Sequence, residues 1–188
     1  SNYAFGLDYN AVNIALQHRE QTLLGVTWQI HTGRVYHALA GAGAFRREAS
    51  GTEIRLQVND TTELRRALIT TGFPYHSGVS ADNNAAEFSR ILQLAGGVRC
   101  LGSAALDLAH VASGALCAFW EGWLHAWDAA PGVLLVREAG GRVTDYAGQE
   151  WSINSTPLVA SNGQPGVHDA LLAAIAEARV GLTETPQR

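Results

Sequence analysis

Methionine and lysine are both missing from this chain of 188 residues. With no initiator, and with a core-like stretch arriving within "SNYAFGLDYNAVNIAL", the sequence reads as one entered in its middle. Its 13 side-chain cations other than histidine are all arginine, which points to a GC-rich coding bias and not to a function. Cysteine is scarce too. Cys100 and Cys117 are too few for a disulfide framework, and no CxxC or Cys/His zinc spacing surrounds them. A reducing, cytoplasmic setting is therefore expected. No apolar run reaches 18 residues, so no transmembrane helix is expected. No basic-then-apolar signal peptide opens the chain. The net charge of −4 gives no basic excess, which argues against nucleic acid or an anionic membrane as partner.

What is present suits a packed core. Hydrophobic residues make up 47% and charged residues 16%, so one ordered domain over 1–188 is expected, without internal repeat or low-complexity linker. "AVNIAL" (11–16) reads as a strand partly buried on both faces. "TLLGVTWQI" (22–30) and "RVYHAL" (34–39) read as a hairpin whose turn uses Gly33. "AGAGAF" (40–45) is glycine-rich, but no Lys-Ser or Lys-Thr and no helix follows, so a tight turn is the reading and a phosphate-cradling loop is not. "EIRLQVN" (53–59) and "ALITTGF" (67–73) are further strand candidates. A helix capped by Asn84 places Phe88, Ile91, Leu92 and Ala95 on one face and stops at Gly96 and Gly97. The rest alternates: strand "VRCL", helix "GSAALDLAHVASG", strand "ALCAFWE", helix "WDAAPGVLLVREAGG", strands "RVTDY" and "PLVAS", and a helix from about 166 to 180 before a frayed "TETPQR" tail. Such alternation after a strand-rich start indicates an α/β layered sandwich with mixed sheets.

The chemistry concentrates in "FWEGWLHAWDAAPG" (119–132). Asp128 lies at a helix start. There a carboxylate either complements the helix dipole or serves as a hard oxygen ligand for Mg²⁺. Pro131 in the first turn fits both readings. Glu121 ends an apolar strand, either as its solvated tip or as an acceptor for substrate hydroxyls. Ser103 after Gly102 reads as an N-cap. It also opens a helix whose backbone N–H groups face outward to an anion or a hydroxyl-rich ligand. Arg99 suits an ion pair or a phosphate contact, and Asp107 a buried hydrogen-bonding anchor. His110 and His125 have no metal-binding spacing and read as structural. The neighbouring tryptophans read as packing.

Taken together, "RCLGSAALDLAHVASG" and "FWEGWLHAWDAAPGVLLVREAGGRVTDYAG" closely resemble the C-terminal signature of the inositol monophosphatase family of Mg²⁺-dependent phosphatases. "GRVYHALAGAGAF" and "TGFPYHSG" also match the family's pattern, and "SNYAFGLDYNAVNIAL" is similar to the segment that follows its Asp-Pro-Ile/Leu-Asp-Gly-Thr metal motif. The resemblance covers essentially the whole chain. It implies a layered α/β/α/β/α sandwich of the sugar-phosphatase type, with the N-terminal helices and first strands missing and apolar sheet surface left exposed. It also implies Mg²⁺-dependent hydrolysis of inositol monophosphate or a related sugar or polyol phosphate, by a cytoplasmic homodimer. The resemblance makes Asp128 a metal ligand and Glu121 the carboxylate that holds a substrate hydroxyl. Gly102, Ser103 and Ala104 become the pocket-lining helix start, with Arg99 a basic residue near it.

The departures shape the expectation. The family's Glu-Glu motif and its Asp-Pro-Ile/Leu-Asp-Gly-Thr motif are absent, and with them most metal ligands and the water-activating threonine. Cys117-Ala118 stands where the family often has Leu/Val-Asp-Gly, and Pro131 where it usually has Ala. This chain by itself is therefore expected to be inactive. Two alternatives stay open: a non-catalytic interaction module of the same fold, and the same chemistry on histidinol phosphate, fructose 1,6-bisphosphate or a nucleotide phosphate.

Overall fold

A computed structural model describes residues 2–75, 78 and 80–180. His76 and Ser77 of "TGFPYHSG" and the tail at 183–188 lie outside the described residues. The first sheet is a five-stranded antiparallel meander: β1 (Ala11–His18), β2 (Gln21–Gln29), β3 (Arg34–Leu39), β4 (Gly43–Arg47) and β5 (Glu53–Arg55). The second is mixed, in the order β7 (Gly97–Arg99), β6 (Leu68–Thr71), β8 (Ala118–Glu121), β10 (Leu158–Ser161), β9 (Arg142–Thr144). Its β7–β6–β8 part is parallel and its β8–β10–β9 part antiparallel. Four α-helices complete the set: α1 (Ala85–Leu92), α2 (Ala104–Ala112), α3 (Ala126–Glu138) and α4 (Pro165–Ala178).

Helices α2 and α3 lie between the two sheets, and α1 and α4 cover the far side of the second. Four layers (β, α, β, α) are thus built by the described residues. The middle position of α3 explains its sequence. Ala129 through Val136 are all buried, so this helix is apolar all round instead of along one stripe. It is also seated very closely. A Cβ on Gly25 of β2 would lie 2.8 Å from the Pro131 backbone, and one on Gly132 would lie 2.5 Å from the Leu108 Cβ in α2. Neither glycine has a left-handed backbone, so space and not conformation selects it.

Several sequence expectations change. β1 is not buried on both faces. Val12, Ile14 and Leu16 are exposed, and together with Trp28 and Leu39 they form an open apolar outer face on the first sheet, while Ala11 and Asn13 turn toward α3. β5 stops at Arg55: the Leu56 N–H still reaches the Ala44 carbonyl of β4 at 2.8 Å, and the chain then leaves the ladder, the Val58 N–H bonding to the carbonyl of Ala139 at the end of α3. Asn84 precedes α1 but its side chain does not cap it.

Replacing Gly25 with alanine drives a methyl group into helix backbone that cannot rotate away. The variant is expected to lose about 1–3 kcal/mol, the usual range for overpacking, read as a lowered urea midpoint at unchanged m-value.

Candidate functional site

Strand β8 and helix α3 are joined by four residues, and the acidic groups of interest sit at the two ends of that connection. β8 is a central strand with Phe119 and Trp120 fully buried, and Glu121 is its last residue. The return is sharp because Trp123 takes a left-handed conformation, φ +58°. For a bulky L-residue this costs on the order of 1–2 kcal/mol, and the flanking elements hold it in place. The Leu124 N–H bonds to the Thr156 carbonyl at 3.2 Å, and α3 begins at Ala126.

Asp128 is the third residue of α3 and not its first. One carboxylate oxygen, Oδ2, accepts the His125 backbone N–H at 3.1 Å, so the capping role is real. The other, Oδ1, has no hydrogen-bond partner among the described residues. Because α3 starts at Ala126, Pro131 falls in the second turn, where a prolyl nitrogen leaves the carbonyl four residues earlier without its helical donor. That carbonyl belongs to Trp127. The Asn13 side-chain amide of β1 supplies the missing donor, reaching the Trp127 oxygen at 2.9 Å and the Asp128 oxygen at 3.1 Å. Thr27 fixes the amide by donating to Asn13 Oδ1 at 2.7 Å. The three tryptophans have different fates. Trp120 is core, Trp123 makes the turn, and Trp127 is 68% exposed and stacks on His125 at 4.4 Å.

The pocket-lining residues expected from the sequence come from the β7–α2 connection. Gly102 has φ +86° and its carbonyl accepts the Asn2 side-chain amide at 3.3 Å. Ser103 occupies the N-cap position in extended geometry, but its hydroxyl does not cap the helix, contrary to the plain N-cap reading. Ala104 opens α2. Arg99, at the end of β7, is exposed and donates to the adjacent Val98 carbonyl at 3.0 Å, and among the described residues it joins no carboxylate. Asp107 is the buried anchor the sequence suggested, accepting the Tyr9 hydroxyl at 2.8 Å, while the Thr70 hydroxyl donates to the Arg99 carbonyl at 3.2 Å. Tyr9 is 98 positions away, and no pattern in the sequence pairs the two.

Electrostatics unites these carboxyl groups. Burial pushes Glu121 up to about 8, and the negative charges of Asp107 and Asp128 add to the effect. Burial likewise raises Asp107 to about 7, against the opposing pull of the Tyr9 hydrogen bond. The Cys100 thiol is raised by burial and then by Asp107 and Glu121, which places it in the same field. A neutral Glu121 carboxyl both donates and accepts, which matches a ligand hydroxyl that does the same. Among the described residues no group of three or more His, Cys, Asp or Glu side chains could hold a metal ion. The clefts along Arg137, Arg142 and Glu150 and along Gln17, Leu23 and Trp151 include none of these acids.

Two measurements follow. Asn13→Ala is expected to destabilise the chain by about 1 kcal/mol, the value of one buried-carbonyl partner. In a Pro131→Ala background, where residue 131 donates its own N–H, the loss shrinks, giving a coupling of about 0.5 kcal/mol or more in a double-mutant cycle. The second concerns pH. Carboxyls with raised folded pKa values stabilise fully below their unfolded values and lose that contribution as pH rises through about 7 and 8. His168, pushed by burial down to about 4, acts oppositely but has finished titrating in both states above pH ~7. Stability in EDTA is therefore expected to fall between pH ~7 and ~8, and Glu121→Gln to flatten that slope in urea titrations.

Known proteins share the sequence pattern and the fold of this chain. The model of the inositol monophosphatase family matches residues 1–180. An inositol-1-monophosphatase of Mesorhizobium japonicum is 37% identical over 175 residues, covering 93% of this chain and 63% of the relative. A Nus factor SuhB of Pasteurella multocida is 34% identical, covering 86% of this chain and 58% of its own length. Among solved structures, inositol monophosphatase from Anabaena (Nostoc) sp. superposes with a TM-score of 0.87 at 38% identity, over 94% of this chain and 70% of that one. Mycobacterium tuberculosis SuhB gives 0.82 at 35%, over 94% and 68%. The chain thus spans about three-fifths of the length of the curated relatives it matches. It is a member of the inositol monophosphatase family.

Proposed function

We propose that residues 1–188 form one domain, the C-terminal portion of a phosphomonoesterase for inositol monophosphate or a related sugar or polyol phosphate. In this reading Glu121 holds a ligand hydroxyl, Gly102, Ser103 and Ala104 line the pocket, and Arg99 stands near the phosphate. Asp128 gives its free oxygen to Mg²⁺. The observation that carries it is the pairing at the β8–α3 connection: a half-buried Glu121 within the field of an Asp128 that keeps one oxygen unengaged among the described residues. Among the described residues the Ser103 hydroxyl does not cap its helix and the Arg99 guanidinium reaches no carboxylate, which supports the roles given to them. The reading extends to a cytoplasmic homodimer for the whole protein.

The metal itself does not fit the described residues alone. Mg²⁺ requires near-octahedral oxygen coordination, and no set of three candidate ligands is present among them. No step is therefore derived through the ion. A second reading is a non-catalytic module that keeps the fold.

A phosphate-release assay with inositol 1-phosphate separates the two. The 188-residue chain is expected to show no Mg²⁺-dependent turnover, whereas a longer gene product that includes Asp-Pro-Ile/Leu-Asp-Gly-Thr upstream is expected to turn over and to lose at least 100-fold in Asp128→Asn, roughly 3 kcal/mol of transition-state stabilisation. Turnover by the short chain that vanishes in Asp128→Asn overturns the expectation of inactivity. A silent longer product favours the non-catalytic module.

A further inference from the structure

Gly72 follows β6 with an ordinary backbone conformation, so nothing in its φ calls for glycine. Its surroundings do. A Cβ placed there would lie 2.5 Å from Cδ and 2.6 Å from Oε1 of Glu121, inside the van der Waals envelope of the carboxylate. The bare Cα is the floor on which that carboxylate rests.

The backbone at this point cannot retreat, because a buried ring of hydrogen bonds ties it to the strand that carries Glu121. Thr71 pairs with Trp120 in the parallel β6–β8 ladder, and the Thr71 hydroxyl donates to the Trp120 carbonyl at 2.6 Å. The Asn84 amide donates to the Gly72 carbonyl at 2.6 Å and to Thr71 Oγ1 at 2.8 Å. The Trp120 indole N–H donates to Asn84 Oδ1 at 2.8 Å, which closes the ring one residue before Glu121. Thr71, Asn84 and Trp120 are each at most 1% exposed. Asn84 reaches this geometry through a left-handed φ of +69°, a conformation that asparagine tolerates better than most residues.

We propose that Gly72, locked to β8 by the Asn84 ring, is a positioning residue that sets the direction of the Glu121 carboxylate and thereby which ligand hydroxyl it can receive. The geometric part stands on contacts alone. The statement about the ligand rests on the role proposed for Glu121 above. Gly72 touches no reacting atom and acts only through Glu121.

The test uses the full 188-residue chain with Gly72→Ala, Glu121→Asp and the Gly72→Ala/Glu121→Asp pair. Crystal structures of Gly72→Ala are expected to show the carboxylate displaced by about 1 Å, the distance needed to restore van der Waals contact. The Trp120 indole ¹H–¹⁵N resonance should stay in place, because the ring is intact. Asp at 121 is shorter by one methylene, so adding Gly72→Ala to Glu121→Asp should change neither the carboxylate position nor the melting temperature. Affinity for myo-inositol, titrated by NMR, should weaken roughly tenfold in Gly72→Ala, as expected for one misplaced hydrogen bond. An unmoved carboxylate with a shifted Trp120 resonance overturns the proposal, as does an equal loss of stability from Gly72→Ala in both backgrounds. Should Gly72→Ala fail to fold, a folded double variant supports the proposal and an unfolded one overturns it. If Glu121→Asp, whose carboxyl cannot reach the same place, binds myo-inositol as well as the parent, the hydroxyl-holding role falls while the geometric result is judged separately.

Discussion

The close seat of α3 between the two sheets is the constraint on which the rest of the molecule depends. Gly25 lets the helix lie against β2, and Gly132 lets α2 lie against the helix. The same helix carries Asp128 in its first turn, so the packing that builds the core also places the acid. Pro131 adds a complication at this contact, because it takes a hydrogen bond out of the helix just where the backbone is nearest the sheet. The Asn13 amide restores it from β1, with Thr27 behind. A residue that would be a defect in an isolated helix is thus absorbed by the neighbouring sheet.

The acidic region is built against stability. Glu121 and Asp107 are carboxyl groups drawn partly or wholly out of water with no cation hydrogen-bonded to them among the described residues, and burial raises the pKa of both. Trp123 adds backbone strain in the same connection. Elsewhere the chain pairs its buried charge: Glu87, as hidden as Asp107 and more so than Glu121, is bound by Arg179, which also clamps Asp82 at 2.7 and 3.0 Å. The contrast separates a structural carboxylate, neutralised within the fold, from carboxyl groups left for something else to engage.

Much of this was legible in the sequence. Glu121 at the end of an apolar strand and Asp128 near a helix start could be picked out because unpaired carboxylates are costly in apolar surroundings. The α2 start after Gly102 and the alternation of strands and helices were readable from local pattern. Pro131 was misplaced by a turn, because the residues before it, Ala126 and Trp127, carry no capping signal and the helix starts earlier than composition shows. From sequence Asn84 reads as a cap, because Asn before an apolar period usually is one. Its partners Thr71, Gly72 and Trp120 lie 13, 12 and 36 positions away, and no short-range rule reaches them. Trp127 resembled core packing, yet its helix position turns it to solvent.

By itself the sequence determined the local order: where strands and helices run, which stretches are apolar enough to be buried, and which acids stand out. These follow from periodicity and from the cost of burying charge, both properties of neighbouring residues. Only the tertiary structure decided that Asp107, Glu121 and Asp128 share one electrostatic field. It also decided that Asn13 repairs the gap left by Pro131, and that a glycine after β6 exists to make room for a carboxylate from β8. Those outcomes depend on which elements come within a few ångströms of each other, and that is settled by packing across distant parts of the chain.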